Sequence, residues 1–173
     1  MGAASVKEGR VLVLGLDNAG KTTILKKLAE EDITHVMPTQ GFNMKSLTKG
    51  KLNLKMWDLG GQRAIRPYWR SYFEKTDAIV YVFDSADRQR LEETGGELRK
   101  ILQEDKLMGV PLLAFANKQD LLNAMSADEI VKALDLQLIK DRSFQVIACS
   151  AKTEEGLQEG IQWIFDIIGQ AKK

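Results

Sequence analysis

Gly15-Leu16-Asp17-Asn18-Ala19-Gly20-Lys21-Thr22 holds the densest chemistry in the chain. Its spacing is G-x-x-x-x-G-K-[ST], the pattern of a phosphate-binding loop. Glycines allow a tight turn whose N–H groups face phosphate oxygens, and the dipole of a following helix adds to that attraction. Lys21 would place a positive charge between the outer phosphates, and the Thr22 hydroxyl would bind Mg²⁺. Asp17, Asn18, Ala19, Gly20 and Thr23 complete the expected contact set. A glycine turn can arise by chance, so the flanks decide. Val11-Leu12-Val13-Leu14 reads as a buried strand leading in, and the stretch from Thr22 to Ala29 reads as a helix with Ile24, Leu25 and Leu28 on one face.

Further polar motifs recur along the chain. Asp58-Leu59-Gly60-Gly61-Gln62 follows an apolar run ending in Trp57. Asp58 is placed to hold Mg²⁺ through water. Gly61 lacks a side chain, so its N–H can approach a terminal phosphate. The Gln62 amide can both accept and donate, which suits a residue that orients an attacking water. Alone, this motif would also be compatible with an ordinary tight turn. Asn117-Lys118-Gln119-Asp120 follows the run ending at Ala116. Guanine presents two adjacent N–H donors that the Asp120 carboxylate can accept together, and adenine has no such pair. The Lys118 stem can lie along the purine face, while Asn117 braces neighbouring loops. Ser150-Ala151-Lys152 follows the next apolar run, and the Ala151 N–H is expected to reach the guanine carbonyl. Thr39, in Pro38-Thr39-Gln40-Gly41, is the candidate for a second hydroxyl on Mg²⁺, drawn in when a γ-phosphate is present. His35 is assigned no role.

These motifs need a scaffold that gathers strand ends. Ala78–Phe83, Pro111–Ala116 and Phe144–Cys149 are continuous apolar runs of strand length. Helical patterns separate them. One has Leu91, Leu98, Ile101 and Leu102 on a face, and a second has Ile130, Ala133 and Leu134. The last carries the stripe Leu157, Ile161, Ile164, Phe165 and Ile168. Such alternation predicts an α/β fold: a mostly parallel six-stranded sheet with helices on both faces. Residues 42–47 and 52–57, joined through Lys49-Gly50, read as a β-hairpin that adds one antiparallel edge strand. Ligands of such sheets sit at the carboxyl ends of the strands, where the motifs fall. Of the aromatics Trp57, Tyr68, Trp69, Tyr72 and Phe73, core packing is expected for Phe73 and Trp69, and a partner surface for others.

A chain of 173 residues with 44% hydrophobic and 28% charged residues suits one domain with a full core. A net charge of +1 supplies no bulk field for nucleic acid. The single cysteine, Cys149, precludes an internal disulfide and reads as a buried thiol. A cytoplasmic monomer is expected, with no membrane span. Residues 1–9 are read as an N-terminal tail and 10–173 as the domain. Gly2-Ala3-Ala4-Ser5 has the look of a vector remnant, and Val6 stands where a myristoylation signal needs Ser or Thr. Membrane contact by this chain is therefore not expected.

With these residues in place, the chain resembles the Arf and Arf-like small GTPases over nearly its whole length. The segments that carry the likeness are GLDNAGKTT at 15–23, WDLGGQ at 57–62 and NKQD at 117–120. PTQGFN at 38–43, IRPYWRSYFEKTD at 65–77 and DSADRQRLEETG at 84–95 are most similar to the third Arf-like subfamily. The resemblance implies a Mg²⁺-dependent GTPase cycling between GTP and GDP. It implies a hairpin that slides in register as the loops around Thr39 and Gln62 order. The implied partners are lipid-binding cargo carriers as effectors, a GTPase-activating protein and an exchange factor. The implied setting is the cilium, where lipid-modified cargo is released from its carriers. No arginine is evident in the phosphate loop or beside Thr39, so fast hydrolysis is expected to need a partner. Two rivals remain: a P-loop metabolic kinase, which would need a lid that the sequence lacks, and a GTP-binding module with negligible turnover.

Overall fold

The computed structural model describes residues 7–29 and 42–172. A six-stranded sheet of order β2-β3-β1-β4-β5-β6 forms its centre. The strands are β1 (Lys7–Leu14), β2 (Phe42–Lys49), β3 (Leu52–Leu59), β4 (Ala78–Asp84), β5 (Leu112–Asn117) and β6 (Phe144–Ala148). Every neighbouring pair is parallel except β2 with β3. The hairpin pairs Lys49 with Leu52 across a two-residue loop, and Gly50 takes the left-handed φ of 61° that such a loop demands. β1 begins at Lys7, so residues 7–9, read above as tail, pair with Leu52–Leu54. Two charged residues and a glycine, Lys7-Glu8-Gly9, hide this extension from a hydrophobicity reading.

Strand alternation divides the core in two. Val11, Val13, Val80, Val82, Leu113 and Phe115 face α1 (Lys21–Leu28) and α4 (Leu157–Ala171). Leu12, Leu14, Ile79, Tyr81, Phe83 and Leu112 face α2 (Leu91–Leu102) and α3 (Ala127–Ala133). Central strands buried on both sides must be apolar throughout, which is why they read as continuous runs. The α4 stripe of Leu157, Ile161, Ile164, Phe165 and Ile168 is buried as expected. In α3, Ile130 and Leu134 are buried, but Ala133 is exposed, because so short a helix presents only a narrow face. A Ser126–Glu129 capping box starts α3. Between β3 and β4 a 3₁₀ segment runs from Arg66 to Tyr72, with Pro67 in its first turn. It buries Trp69, and Phe73 follows it into the core, while Tyr68 is 67% exposed. Among the described residues no helix is long and apolar enough to cross a membrane.

Candidate functional site

β1 delivers the chain into the phosphate loop, and α1 leaves it. Gly15 has φ 147° and Gly20 φ 99°, both in the range that excludes side chains. A Cβ on Gly20 would strike the Asn117 amide nitrogen. Asn18 is also left-handed, at φ 65°. Left-handed steps of this kind turn successive N–H groups into a concave anion nest. Lys21 is buried and donates to the Gly15 and Leu16 carbonyls at 3.1 and 3.4 Å. Burial pulls its pKa down, opposed by Asp58 and Asp17. Thr22 and Thr23 are exposed at the start of α1.

The end of β3 meets this loop directly. Thr22 Oγ1 donates to Asp58 Oδ2 at 2.6 Å. Burial pushes the Asp58 carboxyl above its usual range, and the Thr22 bond and Lys21 pull it back. One hydroxyl and one carboxylate, both hard oxygens, suit Mg²⁺, which retains waters and completes its shell with phosphate. Gly61 lies so close that a Cβ would overlap the backbone of Gly15, Leu16 and Asp17. The 3₁₀ segment pins this turn from below: Arg66 Nε donates to the Gly61 carbonyl and Trp69 Nε1 to the Gly60 carbonyl, each at 2.8 Å. Gln62 is exposed above them. Thr39 lies outside the described residues.

At the ends of β5 and β6, Asn117 acts as a hub. Its Nδ2 donates to the Ala19 carbonyl at 2.8 Å, and its Oδ1 accepts from Ala151 N at 3.0 Å. Ala151 N–H, expected on the guanine carbonyl, is thus held by Asn117, since a buried amide must find an acceptor. Lys118 Nζ donates to the Asn18 carbonyl at 2.7 Å and to Asp84 Oδ2 at 2.8 Å. Asp120 is exposed, and its Oδ1 accepts from Ser150 Oγ at 2.8 Å. Lys152 is exposed beside them.

Two arginines that sequence reading passed over converge on the phosphate loop. Arg90 clamps Asp17, with Nη1 on the carboxylate at 2.6 Å and Nη2 on the backbone carbonyl at 2.7 Å. That hydrogen bond holds the Asp17 carboxyl below its usual range. Arg66, buried, lies 3.8 Å from the same carboxylate and 2.6 Å from Glu93. Both pairings span distant parts of the sequence. The one available signal was a pair of arginines, at 88 and 90, beside an aspartate that ends no strand.

The chain matches the model of the ADP-ribosylation factor family over residues 2–168. It belongs to the Arf family. It is 64% identical over 158 residues to ADP-ribosylation factor-like protein 3 of Chlamydomonas reinhardtii, covering 91% of this chain and 89% of that protein. It is 50% identical over 171 residues to ADP-ribosylation factor-like protein 3 of Pongo abelii, covering 99% and 93%. Among solved structures, the Arl6 BBS3 small GTPase from Trypanosoma brucei with bound nucleotide analogue GppNp superposes with a TM-score of 0.85 at 33% identity, covering 95% of this chain and 99% of that one. The likeness to the third Arf-like subfamily stands. This Arf-like protein is a small GTPase, a regulatory GTP-binding switch that hydrolyses GTP.

Proposed function

We propose that residues 10–173, entered by the first residues of β1, form a Mg²⁺-dependent switch with slow intrinsic hydrolysis. Lys21 and the N–H groups of Asp17–Thr23 hold the phosphates. Thr22, Thr39 and, through water, Asp58 hold Mg²⁺, which neutralises charge developing on the phosphates when bound. Gln62 orients the attacking water, and the Gly61 N–H reads the γ-phosphate. Asn117, Lys118, Asp120, Ser150, Ala151 and Lys152 build the guanine site. The observation that carries this reading is the direct contact among phosphate loop, β3 end and the Gly60–Gln62 turn, through the Thr22–Asp58 bond and the packing of Gly61. A change in the loop's occupant is felt by the turn at once.

The hairpin then slides against β1. A slip by an even number of residues keeps Leu47, Leu54 and Met56 on the buried face. Protein effectors read the surface of the hairpin and Tyr68–Tyr72, while an activator and an exchange factor set the state. Likeness to Arf-like protein 3 relatives supports lipid-binding cargo carriers as those effectors, with release of lipid-modified cargo at the cilium. The test is single-turnover GTP hydrolysis with capture of partners in both nucleotide states. Gln62→Leu should bind GTP normally but turn over ~10-fold or more slowly, about 1.4 kcal/mol of barrier per factor of ten. Equal turnover of parent and variant would remove the role given to Gln62. Equal capture of every partner with GDP and a non-hydrolysable analogue would instead favour an inert GTP-binding module.

A further inference from the structure

Gln119 stands between Lys118 and Asp120, at a position where the chemistry of guanine asks for nothing. Its side chain is nevertheless bonded on several sides. Nε2 donates to the Met125 carbonyl at 2.8 Å, to Ser85 Oγ at 3.1 Å and to the Ala116 carbonyl at 3.3 Å. Its backbone N–H donates to the Cys149 carbonyl at 3.1 Å. One residue therefore joins the ends of β4, β5 and β6 and the loop into α3. Ser85 is fully buried and commits all of its polar groups here: its N–H goes to the Asn117 carbonyl at 3.1 Å and its carbonyl receives Met125 N at 2.8 Å.

The backbone explains why such a tether is needed. Lys118 has φ 69°, a left-handed step that costs a non-glycine residue about 1 kcal/mol or more. Such a step persists only where the surroundings fix it. It reverses the chain so that Gln119 points into the fold and Asp120 out of it. Losing the Gln119 amide removes the side-chain ties to Ser85, Ala116 and Met125 and leaves the turn held by backbone bonds, the Lys118 ammonium and the Ser150 hydroxyl on Asp120, so the Asp120 carboxylate gains latitude.

We infer that Gln119 is a positioning residue for base recognition: its amide holds the Lys118 turn so that the Asp120 carboxylate meets the base in one pose. The inference rests on the reading of Asp120 as the guanine acceptor. It extends specificity to a residue that need not touch the nucleotide, and to Ser85 beneath it.

The test is equilibrium binding of GDP and IDP, which differ only in the 2-amino group that Asp120 would accept. The parent should prefer GDP. Gln119→Met keeps the length of the side chain but removes both donors, and should lower the GDP-to-IDP affinity ratio about fivefold, the equivalent of about 1 kcal/mol, one ordinary hydrogen bond. Ser85→Ala removes one of the acceptors and should lower the ratio by less. It also keeps the test open should Gln119→Met fold poorly. A purely structural role weakens both nucleotides alike and leaves the ratio unmoved; that result in both variants would overturn the inference alone. A parent with no preference for GDP over IDP would overturn the Asp120 reading and this inference with it.

Discussion

Asn117→Ala should loosen nucleotide binding without remodelling the fold. Asn117 is 1% exposed, and two of its bonds end on buried backbone, the Ala19 carbonyl and the Ala151 N–H. Alanine leaves both without a partner. An unpaired buried group costs about 1–3 kcal/mol, so low-to-middle values for two give about 2–4 kcal/mol. The weak Cys149 Sγ–H bond to Oδ1, 3.5 Å long, adds little. Ala19 belongs to the phosphate loop and Ala151 to the base site, so most of the loss should appear as weaker binding, roughly 30- to 700-fold. Stopped-flow release of a fluorescent GDP analogue measures it. Urea unfolding of the loaded protein should show a lower midpoint with an unchanged slope, because the area exposed on unfolding stays the same. The exposed Asn123→Ala is the control, expected within about 0.5 kcal/mol. Release within about threefold of the parent, with an unmoved midpoint, would refute the hub.

Two further outcomes follow from buried polar groups away from the motifs. The Arg142 side chain is fully buried and donates to the Leu102, Leu107 and Val110 carbonyls at 3.0, 3.1 and 3.1 Å. Arg142→Met should cost about 3–5 kcal/mol, roughly a 10 °C fall in Tm by calorimetry, with little change in the GDP-to-IDP ratio. Burial pushes the Cys149 thiol up to about 12 from an ordinary 9.0. The unfolded chain therefore ionises first, so stability present below pH 9 is lost as pH rises towards 12. Urea midpoints from pH 8 to 10.5 should fall further for the parent than for Cys149→Ala, by up to about 1.4 kcal/mol per pH unit; parallel curves would contradict the burial argument.

What the sequence made legible was what periodicity and local motifs encode. Val11–Leu14, Ala78–Phe83 and Pro111–Ala116 had to be central strands, because runs apolar on both faces have no other place in an α/β sheet. The phosphate loop was visible because its glycines, lysine and threonine are adjacent in the chain. Arg66 and Arg90 were not, since their meeting at Asp17 depends on how α2 and the 3₁₀ segment pack. Gln119 drew no assignment from its position in the motif, because its side chain bonds to acceptors contributed by the end of β4 and the loop before α3. The Asn117 bond to the Ala151 N–H was hidden for a related reason: the two residues are far apart in sequence, and spacing cannot show that the Asn117 side chain reaches the backbone after β6.

The central claim is that nucleotide state is transmitted from the phosphate loop through Asp58 and Gly61 to the hairpin and the turn beyond it. Amide hydrogen exchange of the full chain, loaded with Mg²⁺ and either GDP or a non-hydrolysable GTP analogue, tests it most directly. Exchange should differ between the two states over residues 38–72, with the Gly60–Arg66 turn and the segment around Thr39 better protected in the GTP-analogue state. Identical protection in both states across that span would contradict the account.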